Sequence, residues 1–320
     1  MLLVPNFVRA QIGSLPGPQP PPPPNAPTLK DQQRGALRVS TDLVLLHVSV
    51  TDDHGQFVTG LKQGNFRVYE DKVEQQISAF LGEDVPVTMG LVIDNSGSMR
   101  EKRAQVNAAA LTFVKTSNPQ DEVFVVNFND EYYLDLNEDF TNDQRELNEA
   151  LSRIDARGST ALYDAVIGSL GHLRKGHKDK HVLLVITDGD DDASRKTLAD
   201  VVRIAQGSDA QIYAIGVFSD EDRRSAKKMI HKSKKELSEM TAVSGGAAYF
   251  PDTLEQVQAI CAQVAHDIRN QYTLGYYPTN SARDGTFRQV QVQLIPPKDR
   301  PKMTARTRAG YYSQKTSQGD

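Results

Sequence analysis

Strand-like and helical segments alternate along residues 87–270, and this alternation restricts the possible folds more than any other feature of the sequence. Val87–Ile93 and Val182–Thr187 are apolar at consecutive positions instead of alternate ones. Between them, Lys102–Thr116 has apolar residues at helical spacing. Strands that are apolar throughout belong to parallel sheets covered on both faces by helices. The pattern therefore predicts an α/β fold with a doubly wound, mostly parallel, Rossmann-like sheet.

The connection around Asn129–Asp130 predicts one exception to the parallel order. It is too short for a crossover, so the strand that follows should be an antiparallel edge strand. The predicted strands are Val87–Ile93, Val123–Phe128, Tyr132–Leu136, Val182–Thr187, Gln211–Val217 and Ala247–Phe250. The predicted helices are Lys102–Thr116, Asp143–Ile154, Ala161–Leu173, Thr197–Gln206, Lys234–Val243 and Leu254–Asn270.

The segments on either side of the α/β region have a different texture. Residues 37–84 and 271–313 contain short stretches in which apolar and polar residues alternate, as in antiparallel strands. Neither segment is long enough to bury a good core alone. We expect them to pair into one small β-rich subdomain beside an α/β domain at 85–270, followed by a tail at 314–320.

The first 36 residues predict a leader and a spacer. Residues 16–27, "PGPQPPPPPNAP", favour extended polyproline II and form a semi-rigid linker. The opening "MLLVPNFVRAQ" has the small residues of a signal-peptidase site but lacks a full apolar region. It is either the end of an export signal or an ordinary N-terminus, and we expect an exported protein: periplasmic, cell-surface or secreted. No apolar run approaches the length of a membrane span.

Charge and cysteine content exclude several classes of function. The formal net charge is −4, which gives no reason to expect nucleic-acid binding. Cys261 is the only cysteine, so intramolecular disulfides and cysteine-rich metal sites are excluded. Its apolar helical surroundings indicate a buried structural thiol.

Small oxygen-bearing side chains follow two of the buried strands. In "VIDNSGSM", Asp94, Ser96 and Ser98 come at alternate positions, and in "VLLVITDGD" Asp188 follows the apolar run. Thr160 lies in the loop "RGSTALYDA" that opens a helix. Ligands of open parallel sheets bind beyond the carboxyl ends of the strands, so we expect these three loops to converge.

The residue types in these loops suit a hard cation. Two carboxylates and three hydroxyls form an all-oxygen ligand set, which favours Mg²⁺, with Mn²⁺ or Ca²⁺ as alternatives, over zinc or copper. In an extended loop the alternate spacing would point Asp94, Ser96 and Ser98 the same way, with Gly97 permitting a bend. Taken singly, these motifs are also typical of turns and helix caps.

Together, the five positions resemble the metal-ion-dependent adhesion site (MIDAS) of von Willebrand factor type A (VWA) domains. The resemblance covers roughly residues 85–270. It implies Ser96 and Ser98 as direct metal ligands and Thr160 as a direct or water-linked one. It implies that Asp94 and Asp188 act mainly through bound water and by orienting the hydroxyls.

The flanks resemble a bacterial, acidobacterial-type variant of the same family. The N-terminal stretch "GLKQGNFRVYEDKVEQQISAF" and the C-terminal stretches "YTLGYYPTNSARDGTFRQVQVQL" and "RAGYY" carry this similarity. Because that group is largely uncharacterised, the likeness informs architecture more than activity.

The resemblance implies a non-enzymatic protein-binding module whose cation captures an Asp or Glu of a partner. One alternative is a structural or self-assembling scaffold with a loop-ordering metal. The other is a metal-dependent hydrolase. Ser96 and Ser98 have no histidine or lysine in a recognisable activating pattern, which argues against nucleophilic catalysis.

Three further groups of polar residues have less specific patterns. The run Asp190–Asp192 could hold a second cation or be a solvated or helix-start cluster, and Asp164 should lie in the first turns of its helix. The basic stretch Arg223–Lys235 is either a docking surface for an acidic partner or a solvated helix or loop. The histidines lack zinc-ligand spacing.

Overall fold

The computed structural model describes residues 43–297 and 302–315, apart from residues 83, 117, 137, 154 and 155. The predicted export signal and proline-rich linker lie outside the described residues. The described residues belong to one compact unit. No helix in the described part of the chain has both the length and the apolar character needed to cross a bilayer.

The elements alternate in the order that the sequence predicts. The strands are β1 Val44–Asp52, β2 Phe66–Glu70, β3 Val73–Gln75, β4 Ile77–Leu81, β5 Val87–Asp94, β6 Glu122–Phe128, β7 Tyr132–Leu134, β8 Lys180–Thr187, β9 Gln211–Gly216, β10 Ala248–Tyr249, β11 Tyr272–Tyr276, β12 Phe287–Leu294, β13 Met303–Arg306 and β14 Gly310–Tyr312. The α-helices are α1 Arg103–Thr116, α2 Gln144–Ser152, α3 Leu162–Leu173, α4 Leu198–Gln206, α5 Asp220–Ser225, α6 Lys227–Ser244 and α7 Glu255–Arg269.

A six-stranded sheet forms the centre of the α/β region, in the order β10-β9-β8-β5-β6-β7. All neighbours pair in parallel except β7, which runs antiparallel to β6 at the edge. The predicted antiparallel edge strand is therefore confirmed. Every residue of β5 is buried, so both faces of the sheet are covered at its centre.

The helices form two sets, and the helices within each set contact one another. Helix α1 contacts α7 and α2, while α4 contacts α3 and α6. Buried residues from both sets join the strands in one large apolar core. The core holds Cys261, whose thiol is buried and has a pKa raised by burial to about 12, so it is an inert structural residue.

The flanking strands pair with each other across the length of the chain. They form two four-stranded sheets, ordered β13-β1-β11-β4 and β14-β12-β2-β3. Strand β1 from the N-terminal flank pairs with β11 from the C-terminal flank, and β2 pairs with β12. The two sheets share a second apolar core that includes Leu46, Phe66 and Leu274.

Two ion pairs, each with a buried carboxylate, stabilise these sheets. Arg288 and Glu70 are 3.2 Å apart with almost no exposed surface, and the Tyr276 and Tyr311 hydroxyls donate to the same carboxylate at 2.8 and 2.7 Å. Arg306 of β13 pairs with the buried Asp267 of α7, which connects the C-terminal flank to the α/β region. These pairs cannot be read from the sequence because Arg288 and Arg306 lie in ordinary alternating strands.

One predicted element is wrong in its extent. The helix predicted at Lys234–Val243 begins seven residues earlier, at Lys227, and the unpredicted α5 precedes it. Ile230 and Ser233 are buried at helical spacing, and the lysines around them hide this short buried pattern. The Ser219 side chain accepts a hydrogen bond from the Asp222 backbone and caps α5.

Candidate metal centre

The candidate site lies where the order of the central strands reverses. Strand β5 lies between β6, the next strand in sequence, and β8. The chain forms β6 and β7 on one side of β5 before it forms β8 on the other side. Such a switch point leaves a crevice beyond the carboxyl ends of the strands. Asp94 is the last residue of β5, and Asp188 directly follows β8.

Asp94 is held rigidly at the base of this crevice. Its carboxylate accepts a hydrogen bond from the Ser96 backbone N–H at 2.8 Å and another from the Thr187 hydroxyl at 2.6 Å. Burial, followed by the nearby charge of Asp188, raises the pKa of Asp94 to about 7, although these hydrogen bonds act in the opposite direction. Asp94 is therefore a buried carboxylate close to a second carboxylate, Asp188.

The two serine hydroxyls meet at the mouth of the crevice. Sequence alone favours an extended loop here, but Gly97–Met99 form a 3-10 turn. The Gly97 N–H donates to the Gly158 carbonyl at 3.1 Å, which holds the serine loop against the threonine loop. The Ser96 and Ser98 hydroxyl oxygens are 3.1 Å apart, close enough to converge on one small ligand.

Thr160 is positioned by the acidic run that follows β8. Its backbone N–H donates to Asp192 at 2.7 Å, while the Tyr163 N–H donates to Asp191 at 3.0 Å. Asp191 and Asp192 thus bind backbone groups at the start of α3, which favours the helix-start interpretation of this run over a second cation site. Asp164 lies in the first turn of α3, as predicted.

Lys102 and Asp222 also belong to the site, and sequence reasoning missed both. The Lys102 ammonium is 3.2 Å from Asp188 and 3.1 Å from Asp222, and only 4% of its side chain is exposed. Burial alone would raise the pKa of Asp222, but hydrogen bonds from Ser219 and Lys102 outweigh it and hold the pKa below its usual value. A buried ammonium thus bridges the serine loop, Asp188 and the start of α5.

A cavity of about 290 Å³ opens at this position. The structure brings Ser96, Ser98, Thr160 and Asp188 together on its wall, and Asp94 lies directly behind Ser96. The remaining lining residues are Gly158, Ser159, Asp190, Asp192, Phe218, Asp222, Met229, Ile230 and Ser233. The five residues of this set from Phe218 to Ser233 could not be assigned to the site from sequence, because they follow a different strand, β9, and most of them lie in α5 and α6.

The donor set fits a divalent cation because its negative charge exceeds the positive charge that faces it. Five carboxylates, those of Asp94, Asp188, Asp190, Asp192 and Asp222, face only two ammonium groups among the described residues, Lys102 and Lys232. No group of three or more His, Cys, Asp or Glu within the described ranges is placed to hold a metal. A cation here would therefore depend on the hydroxyl oxygens, as hard ions allow.

A family model matches part of the chain. The described elements form a mixed α/β fold with a central sheet and surrounding helices. Residues 89–190 match the model described as von Willebrand factor type A domain. The match extends over all five predicted site residues. No curated protein matches this sequence.

Three solved structures are among those to which the chain is similar. A von Willebrand factor type A protein from Catenulispora acidiphila has 15% identity and a TM-score of 0.49, with 86% of this chain and 63% of that chain covered. BatB from Bacteroides thetaiotaomicron has 16% identity and a TM-score of 0.45, with coverages of 57% and 98%. Proximal thread matrix protein 1 from the mussel byssus, with a zinc-occupied MIDAS motif, has 13% identity and a TM-score of 0.46, with coverages of 57% and 48%.

Proposed function

We propose that this chain is a divalent-metal-dependent protein-binding module and that the five predicted residues form its metal site. The observation that carries the proposal is the convergence of Ser96, Ser98, Thr160 and Asp188 on one cavity, with Asp94 fixed behind them. Mg²⁺ is the proposed cation, with Mn²⁺ or Ca²⁺ as alternatives.

The roles of the side chains follow from their present contacts. The hydroxyls of Ser96, Ser98 and Thr160 are the proposed direct ligands, because they are small and line the cavity. Both carboxylate oxygens of Asp94 already accept hydrogen bonds, so this residue would orient the serine loop and supply charge. Asp188 would do the same from the end of β8.

The proposed ligand is an Asp or Glu carboxylate of a partner protein. A divalent cation held largely by neutral hydroxyls and water keeps a strong affinity for one more anionic oxygen. The cavity is open to solvent beside Ser98 and has room for such a side chain. The chain's own residues would then bind the metal, and the metal would bind the partner.

Affinity capture with and without chelator tests this function. Immobilised wild-type protein in Mg²⁺ should retain specific proteins from an extract of its source, and a chelator should release them. The variant Asp94→Ala should lose the same proteins. The control Asp143→Ala changes an exposed helix-capping residue outside the cavity lining and should retain them. Identical capture by wild type, Asp94→Ala and chelated protein would contradict the proposal.

Two alternatives make different predictions in the same experiment. A scaffold with a loop-ordering metal would self-associate or stay intact without capturing other proteins. A hydrolase would show turnover that Asp94→Ala abolishes. The described lining of the cavity contains no histidine or cysteine, which supports a binding role over a Ser–His or Cys–His mechanism.

The wider organisation is also part of the proposal. We propose a doubly wound VWA domain at 85–270 and a β-rich subdomain built from 37–84 and 271–313, of the bacterial variant that the flanks resemble. We propose an exported location, at the cell surface, in the periplasm or secreted. The pairing of the two flanks and the two separate sets of helices support this organisation.

A further inference from the structure

The first half of α6 forms part of the candidate site and carries Lys232, one of the two ammonium groups that face it. Met229, Ile230 and Ser233 line the same cavity as the two serines and Thr160. From Lys227 to Lys235 the helix contains five lysines and no acidic residue, in a chain with a net charge of −4. The charge of this helix is therefore opposite to that of the whole chain.

Three of these lysines form a stripe on one side of the helix. Lys228, Lys232 and Lys235 are related by four and three residues, so their side chains project from the same face. All three are exposed. Lys232 is 3.7 Å from Asp190, which lines the cavity, so the lysine stripe adjoins the rim of the cavity.

The lysine stripe is largely free of partners inside the molecule. Within the described ranges, Lys228 and Lys235 form no ion pair, and Lys232 makes only long contacts to Asp190 and to Glu236 at 3.9 Å. By contrast, Lys234 lies 5.2 Å from the ring centroid of Phe250 and 5.8 Å from that of Phe218. Lys228 and Lys235 thus present unneutralised charge on the exposed side of α6, and Lys232 connects this charge to the rim of the cavity.

An apolar residue lies between the stripe and the cavity. Met229 is 44% exposed although it lines the cavity, and its flexible side chain can adapt to a bound ligand. Behind it, Ile230 is buried and fixes the helix against the core. The rim on this side therefore offers one apolar contact followed by a row of cations.

We infer that the partner segment is an acidic peptide stretch whose first carboxylate enters the cavity and whose following acidic residues lie along Lys228, Lys232 and Lys235. This inference rests on the proposed function for its metal-anchored residue. The lysine stripe is about 10 Å long at the rise of an α-helix. An extended partner segment covers that length with about three residues.

A peptide titration in Mg²⁺ tests the partner chemistry. The probe is a labelled peptide, Gly-Asp-Gly-Glu-Glu-Glu-Gly, and its neutral counterpart has Gln at the three Glu positions. Wild-type protein should bind the acidic probe about tenfold more tightly than the neutral one at low salt, since each exposed ion pair contributes a fraction of a kcal/mol. Salt should reduce this difference.

Charge-matched variants assign the effect to the lysine stripe. The variant Lys228→Gln/Lys232→Gln/Lys235→Gln should bind both probes equally. The control Lys62→Gln/Lys115→Gln/Lys302→Gln removes the same charge from exposed sites elsewhere and should behave as wild type. Unfolding midpoints of both variants establish that they are folded.

The outcomes separate this inference from the proposed function. Equal, metal-dependent binding of both probes by wild type would overturn the acidic-segment inference and leave the proposed function intact. If the probe still binds in the presence of a chelator, or if a probe with Asn in place of Asp still binds, both the inference and the proposed function are overturned. Lysine-dependent binding to phosphatidylserine vesicles without binding to the acidic probe would identify a membrane surface instead and overturn the inference.

Discussion

At the scale of single residues, Lys102 determines how much negative charge the site offers to a cation. Its ammonium lies between Asp188 and Asp222 and is almost wholly buried. Lys102→Gln keeps a polar, hydrogen-bonding side chain but removes the charge. Because the ammonium repels any cation that approaches Asp188, we expect Lys102→Gln to bind Mn²⁺ roughly tenfold more tightly, measured by titration calorimetry.

Lys232→Gln is the matched control for this prediction. Its side chain is 55% exposed and 3.7 Å from Asp190, so solvent screens its charge and the Mn²⁺ affinity should change little. Unchanged or weaker Mn²⁺ binding by a folded Lys102→Gln would show that the ammonium does not compete with the cation. The free energy of unfolding without metal should fall for this variant, because two carboxylates lose their partner.

The motif residues and Lys102 differ in how far the sequence could predict them. Asp94 and Asp188 could be assigned to the site because each comes at the end of an apolar run that predicts a strand. The carboxyl ends of parallel strands lie at the same edge of the sheet, where ligands bind. Lys102 lies in the run Arg100–Arg103, where all four residues are charged. No pattern distinguishes the buried member of such a run, since its burial depends on Asp188 and Asp222 from distant loops.

At the scale of elements, the loop before α3 depends on Gly158. This residue has a φ of +75°, and an added Cβ would lie 2.1 Å from the Asp130 carboxylate, which accepts a hydrogen bond from the Ser159 N–H. Gly158→Ala should lower the free energy of unfolding by about 2 kcal/mol. It should also weaken Mn²⁺ binding, because the Gly158 carbonyl holds the serine loop at Gly97.

Gly171→Ala provides the comparison within α3. An added Cβ there meets no atom within 4 Å, and the residue is helical. We expect a gain of about 0.5–1 kcal/mol, because alanine favours a helix interior over glycine. Urea unfolding measures both variants. Equal stability of Gly158→Ala and wild type would mean that the loop does not need the left-handed conformation.

Helix α6 marks the limit of prediction at this scale. Its second half was predicted because apolar residues recur there at helical spacing, whereas the first half reads as a charge run. Only the structure reveals that Ile230 and Ser233 face inward and that Met229 lines the cavity. A helix whose buried face is narrow and partly polar gives too weak a periodic signal to detect.

At the scale of the whole molecule, His47 makes the pairing of the two flanks sensitive to acid. It lies in β1, and its ring contacts the Thr273 hydroxyl of β11 at 3.1 Å. Burial, followed by the charges of Lys180 and Arg308, lowers the pKa of His47 to about 3. Between pH 3 and 6.5 the unfolded chain therefore binds a proton here that the folded chain does not.

The sign of this effect is loss of stability as the pH falls below about 6.5. From pH 7 to pH 5 the His47 contribution should reduce the free energy of unfolding by about 2 kcal/mol. Urea unfolding at both pH values measures it as the difference between wild type and His47→Gln. Parallel pH profiles for the two proteins would exclude a buried neutral His47.

The pairing of the flanks could be predicted, but not its form. Short alternating strands without their own core must find partners, and the two flanks are the available ones. Their division into two sheets was not predicted, because an alternating pattern such as that of β12 is compatible with several neighbours and registers. Buried contacts such as Arg288 with Glu70 select among them.

Metal titration of the purified protein tests the central claim most directly. Wild type should bind one Mg²⁺ or Mn²⁺ per chain in calorimetry, and Ser96→Ala/Ser98→Ala should bind it at least about tenfold more weakly while remaining folded. The control Ser78→Ala/Ser238→Ala removes two exposed hydroxyls elsewhere and should bind as wild type. No binding at millimolar Mg²⁺ or Mn²⁺, or equal binding by the Ser96/Ser98 variant, would contradict the claim that these side chains form a cation site.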